Sequence, residues 1–159
     1  MTSMVKKKIL KLVGVAALLV LLAGYFFWRN NAALKIEPDQ IVIRGHIFKI
    51  ETVVSESAKE KGLGGRQSIC ADCGMLFVFD KPGKYGFWMK DMQFALDLLW
   101  LKDGRVIFLK KNIAPSFMQT MLPAEKADRV LELNAGTVDK LGIAVGDQIS
   151  GAGSRSYAN

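Results

Sequence analysis

The chain has one histidine and two cysteines in 159 residues, and both scarcities narrow its chemistry. With His46 alone, no Ser-His-Asp or Cys-His arrangement forms unless that residue takes part, and beside Gly45 it reads as a solvated turn residue. The pair in Cys70-Ala71-Asp72-Cys73, with His46 24 residues upstream, falls short of the roughly four ligands a zinc ion takes. No metal or cofactor is expected. Internal repeats and low-complexity tracts are also lacking. Nor is there a charge excess on the part that folds. The chain has 22 basic and 15 acidic residues. Seven of the basic ones (Lys6, Lys7, Lys8, Lys11, Arg29, Lys35 and Arg155) lie outside Ile36 to Gly153, leaving 15 against 15 there. A nucleic-acid binder carries its positive charge on the folded domain as a patch or stripe, so nucleic acid is not an expected partner.

What is present first is a long apolar run. Leu12 to Trp28 holds seventeen residues without a charge. At the helical rise it spans about 25 Å, or about 30 Å counted from Ile9, close to a bilayer's hydrocarbon core. Four lysines precede it, against Arg29 and Lys35 after it, which puts the N-terminus in the cytoplasm. Tyr25 to Trp28 then forms an aromatic belt at the outer interface. A cleaved signal peptide is the competing reading, but the run is long for an h-region and the cuts near Ala23, Ala32 and Ala33 lack small residues at −3. No cysteine follows the run to accept a lipid. Both readings export the C-terminal domain. The organisation expected is a basic cytoplasmic end over 1–8 and a membrane-anchoring helix over 9–28. A linker over 29–40, an extracytoplasmic domain over 41–150 and a frayed tail over 151–159 complete it.

The domain reads as strand-rich. Ile41–Arg44 and Ile47–Val54 flank a turn at Gly45. Ser57 and Glu60 have capping-box spacing, and Gly62 suits the end of that short helix. Met75–Phe79, Gly86–Lys90, Leu96–Leu101 and Val130–Leu133 are apolar runs bounded by turn residues, which predicts strands. Asp103-Gly104 predicts a hairpin. Thr137 caps a one-turn helix to Leu141 closed by Gly142, and Gln148–Ser150 is the last strand. The expected fold is α+β, mostly β: a small, predominantly antiparallel sheet or partly closed barrel with two short helices, behind one transmembrane helix.

Several blocks carry a family resemblance. Glu60-Lys61-Gly62-Leu63, Arg66, Gly74 to Phe79, Phe87-Trp88-Met89-Lys90, Leu96-Asp97, Leu131 to Gly136 and Gly142 to Asp147 occur in the order of the domain-of-unknown-function family numbered 192. The resemblance covers about Phe48 to Ile149 and implies a small β-rich domain, often exported, with no established activity. The chain departs from that pattern in having Gly64 where Met is usual, Asp91-Met92 where Asn-Thr is usual and Ala95 where Pro is usual.

The Trp88 to Asp97 neighbourhood is the candidate site. Alternation places Trp88 and Lys90 on one side, with Phe87 and Met89 on the other. Asp97 interrupts an apolar strand, an expensive place for an unpaired carboxylate, and Lys90, Arg66 or Arg105 could be its partner. Arg66, Trp88, Lys90, Asp91 and Asp97 would then hold a small anionic or sugar-like ligand; the competing reading is a structural ion pair with no ligand. Gly62 to Arg66 follows a helix where a phosphate loop would precede one, so helix stop and turn is preferred. Cys70 and Cys73, outside the cytoplasm, are expected to form a disulfide. The reading is a membrane-anchored extracytoplasmic module, bound to the bilayer through residues 9–28, that takes a small polar ligand or a surface protein. The alternative is an enzyme, either a hydrolase using Asp97 and Asp91 or a thiol-disulfide catalyst using Cys70 and Cys73.

Overall fold

Alternating apolar residues build two unequal cores on the two faces of one sheet. The structure, a computed structural model, describes Leu18 and residues 20–22 and 39–151. Its strands are β1 (Gln40–Ile43), β2 (His46–Val53), β3 (Cys73–Gly83), β4 (Leu96–Lys102), β5 (Arg105–Ile113), β6 (Ala127–Asn134) and β7 (Ile149–Gly151). Two short helices accompany them, α1 (Glu56–Lys61) and α2 (Thr137–Leu141). The expected anchor, most of the linker and the tail lie outside the described residues. Of the anchor, Leu18 and residues 20–22 are helical and exposed. Among the described residues no helix is long and apolar enough to cross a membrane. By contacts the chain divides into Met1–Lys35 and Ile36–Asn159.

The seven strands form one sheet in the order β5-β4-β6-β3-β2-β1-β7. All neighbours are antiparallel except β2 and β3, which run parallel from Lys49↔Cys73 to Val53↔Phe77. A parallel pair needs a crossover, and here the connection carries α1 across the sheet. The sheet curls until its two edges meet. Arg105 bridges Gln148, Val106 N–H donates to Asp147 O and Ile149 N–H donates to Gly104 O, both within 3 Å. The Arg44–Asp147 ion pair at 2.6 Å ties the β1–β2 turn to the segment before β7.

The inner face of the curl draws a side chain from every strand, among them Ile41, Phe48, Leu76, Leu99, Val106, Leu131 and Ile149, with Val138 and Ile143 plugging one end. The outer face uses β2 to β6 only and is covered by irregular chain, through Leu63, Met89 and Met121 packed on Met75, Phe77, Leu98, Trp100 and Val130. Trp100 is fully buried and donates its indole N–H to Tyr85 O at 2.9 Å, which fastens the 84–92 segment to the sheet.

Two hairpin turns follow from residues that tolerate positive φ. Arg44-Gly45 has φ of 50° and 76°, and Asp103-Gly104 has 52° and 74°. Both positions positive is the two-residue turn whose twist matches the strands. Four local expectations are corrected. The cap of α1 is Ser55, whose Oγ accepts from Ala58 N–H, not Ser57: helix begins at once where β2 ends. Thr137 is the first helical residue of α2, and Gly136 is its cap with no side-chain bond. Gly86–Lys90 is no strand. It makes one bridge, Phe87↔Met121, yet keeps its alternation, with Met89 buried and Trp88 and Lys90 exposed. His46 is not a free turn residue either: it opens β2, packs on Phe48 and pairs with Asp72 at 2.8 Å.

Candidate functional site

The crossover that makes β2 and β3 parallel leaves α1 standing opposite the 84–92 segment, with the outer face of β3 and β6 between them. A cavity of about 170 Å³ opens there. Its floor is Phe77, Phe79 and Glu132, one side is α1 with Gly62 to Gly64, and the other is Tyr85 to Lys90 with Met92. The aromatic wall is tightly ordered. Phe79 stacks on Tyr85 with centroids 3.5 Å apart, and Phe77 meets Phe87 edge-on at 4.8 Å. The ammonium of Lys59 lies 4.7 Å over the Phe79 ring and pairs with Glu56 at 2.9 Å, an internal cation–π contact. Gly65 N–H donates to Asp91 O at 2.9 Å and joins the two walls at the base.

Glu132 gives the cavity its chemistry. It is opposite Met75 on β3 and Leu98 on β4, on the outer face. The residue is 5% exposed, and its Oε2 has no hydrogen-bond partner. Burial pushes its carboxyl up to about 8, against a smaller opposing pull from the Arg66 guanidinium. A carboxyl of that kind is protonated at neutral pH and can donate a hydrogen bond.

Of the five residues expected to share a site, Trp88, Lys90 and Asp91 come together and Arg66 and Asp97 do not. Trp88 and Lys90 line this cavity, Trp88 half exposed at its mouth. Arg66 stands to one side, bound to Glu51 at 2.8 Å, an ion pair that raises the Arg66 pKa and lowers that of Glu51. Asp91 lines a neighbouring cavity together with Trp88 and Lys90, in a left-handed conformation at φ 58°. Asp and Asn are the residues that best tolerate that region, so backbone geometry accounts for an Asn-or-Asp position here. Asp97 is elsewhere. It points to the inner face, where Oδ1 accepts from Asn112 N–H at 2.7 Å and Oδ2 from Val138 N–H at 2.8 Å. Its partners are backbone N–H groups, not Lys90, Arg66 or Arg105, and the carboxylate supplies the N-terminal cap that Gly136 lacks. A register shift in β5 and the positive φ of Asn112 aim that N–H at Asp97.

Glu132 is the residue sequence reasoning missed. The signal was available, because a carboxylate between Leu131 and Leu133 is as costly as one between Leu96 and Leu98. Cys70 and Cys73 form a disulfide in the turn before β3, away from any helix N-terminus. Among the described residues no group of three or more His, Cys, Asp or Glu side chains could hold a metal ion.

Comparison with known proteins agrees with this architecture. A protein of unknown function from Novosphingobium aromaticivorans DSM 12444 has a solved structure with a TM-score of 0.68 at 26% identity, covering 76% of this chain and 89% of that one. A structure from Sinorhizobium meliloti 1021, described as a "putative transcription regulator", has a TM-score of 0.69 at 33% identity, covering 77% and 99%. No curated protein matches. The family model DUF192, "Uncharacterized ACR", matches residues 40–151, the whole of the curled sheet and both helices. The chain therefore belongs to the DUF192 family.

Proposed function

We propose that the domain is a binding module for a small polar ligand, held in the cavity between α1 and the 84–92 segment and tethered to the outer face of a membrane. The observation that carries the binding reading is the buried Glu132 carboxyl, unpartnered at Oε2, under an aromatic wall. An unpaired buried polar group costs roughly 1–3 kcal/mol, and a ligand that satisfies it recovers that cost on binding. The tether is supported by the uncharged run from Leu12 to Trp28 and the four lysines before it. The description of the S. meliloti relative belongs to that protein; with 15 basic and 15 acidic residues across Ile36 to Gly153, nucleic acid is not proposed here.

The enzyme alternatives have less behind them. Asp97 is committed to two backbone donors on the far face, which leaves Asp91 without a carboxylate partner in a shared cleft. The Cys70–Cys73 pair has no helix dipole to activate a thiolate. The test is thermal unfolding of the full chain in detergent against sugars, cell-wall fragments, nucleotides and metal ions, with Trp88→Ala and Lys90→Ala in parallel. A stabilisation that both variants lose while remaining folded supports the pocket. No shift for any compound moves the reading to a protein partner. A C-terminal alkaline phosphatase fusion that stays inactive in cells refutes the outward topology.

A further inference from the structure

The groups around Glu132 indicate the charge of what it binds. Its neighbours on β3 and β4, Met75 and Leu98, are apolar. α1 brings Glu56, Lys59, Glu60 and Lys61, the turn after it Arg66, and the 84–92 segment Tyr85 and Lys90. Lys59 and Glu56 are bound to each other, and Arg66 is bound to Glu51 on β2. Lys61 and Lys90 have no hydrogen-bonded acid among the described residues. Lys61 and Lys90 thus line the cavity with Glu60 as the opposing acid, the charge of Lys61 also acts on Glu51, and the Arg66 guanidinium acts on Glu132 at the floor.

Resting on the reading of this cavity as a ligand pocket, we propose that it takes a small ring-bearing carboxylate. The acid group of that ligand is hydrogen-bonded to the Glu132 carboxyl, within the field of the Arg66 guanidinium and with Lys90 on the facing wall, and its ring lies on the Phe77, Phe79 and Trp88 wall. Burial holds Glu132 protonated, so Oε2 carries or shares the proton that a ligand carboxylate accepts. A cationic ligand would have to ionise Glu132 and would meet two ammonium groups. An uncharged sugar would leave those groups unused.

The sign of the pH dependence separates these cases. Once Glu132 ionises it repels an anion, so affinity for a carboxylate falls about tenfold for each pH unit above the Glu132 pKa. The experiment is calorimetric titration of the full chain in detergent at pH 6 and pH 9. Its probes are benzoate, benzamide and benzylamine, together with glucuronate and glucose. Benzoate or glucuronate is expected to bind at pH 6, at least about tenfold more tightly than its uncharged counterpart, and to weaken by about tenfold or more at pH 9. Glu132→Gln, whose amide donates at every pH, is expected to bind with a flat profile, and Lys90→Ala to lose about tenfold. Tighter binding of benzylamine or glucose overturns the carboxylate assignment and leaves the pocket reading standing. Failure of both acids to bind at either pH also overturns it, and the thermal screen then decides whether the pocket reading falls too.

Discussion

Asp97 and Glu132 sit on neighbouring strands one register step apart, Asp97 opposite Leu133 and Glu132 opposite Leu98. Both are acids in apolar strands, and both are buried. Because successive side chains alternate, one register step sends them to opposite faces. On the inner face Asp97 meets two N–H groups and becomes a structural fastener between β5 and α2. On the outer face Glu132 meets a cavity and keeps an unpartnered oxygen. The same residue chemistry on the same sheet is fully bonded on one face and left unpartnered beside a cavity on the other. Partner supply, not burial, makes the difference.

The largest effect that tests this contrast is Asp97→Ala. It orphans the buried Val138 N–H and the part-buried Asn112 N–H, and is expected to cost about 2–4 kcal/mol in urea unfolding. A loss under about 1 kcal/mol would mean that the fastener is not one. Glu132 should behave oppositely. Its folded-state value of about 8 lies above the ordinary 4.5, so the folded protein keeps a proton that the unfolded chain releases. The contribution of Glu132 to stability is therefore fully present below about pH 4.5 and is lost as pH rises toward about 8. Glu132→Gln is expected to abolish that decline and to be more stable than wild type at pH 9. An unchanged slope in melts from pH 5 to pH 9 would assign the decline to other groups.

Smaller effects sharpen the picture of the cavity walls. Trp100→Phe removes the bond to Tyr85 O, with an expected cost of about 1–3 kcal/mol and faster amide exchange confined to the 84–92 segment. Exchange that rises uniformly would show that Trp100 supports the core and not that wall. Reducing the Cys70–Cys73 bond opens a four-residue loop, so the chain-entropy cost is about 2 kcal/mol or less. Gly64→Ala comes last. A Cβ there would meet Lys61 O at 2.9 Å and Lys90 O at 3.4 Å. Because the 2.9 Å contact is with backbone, the turn must shift, and the change is expected to narrow the cavity, weaken any ligand found and lower the melting temperature.

The turns were legible because their chemistry is local. Asp103-Gly104 and Gly62 announce a backbone conformation that few residues adopt, and the structure has them there. Asp97 was legible as a costly carboxylate but not in its partners, since Asn112 and Val138 donate from their backbones and any residue type except proline would do. Arg66, Lys90, Asp91 and Asp97 resembled one cluster because spacing records which side chains alternate, not which face of a sheet each side occupies. The parallel pairing of β2 and β3, which creates the cavity, depends on where α1 crosses, and no motif in residues 54–72 encodes that. Glu132 is masked because it stands inside Leu131 to Gly136, a block whose most evident signal is the family resemblance.

The pairing of β1 with β7 has a consequence for how the domain is made. β1 is flanked by β2 from its own hairpin and by β7, with Ile41 opposite Gly151. A chain emerging N-terminus first can form the β1–β2 hairpin early, but it holds an open edge for roughly a hundred further residues until Ile149–Gly151 arrive. Assembly is therefore obligately late, and whatever carries the growing chain must shield that edge in the interval. The same adjacency makes the domain a natural candidate for circular permutation. Joining residue 151 to residue 40 and cutting at Asp103-Gly104 would convert a late-closing sheet into one whose β1–β7 pairing forms first.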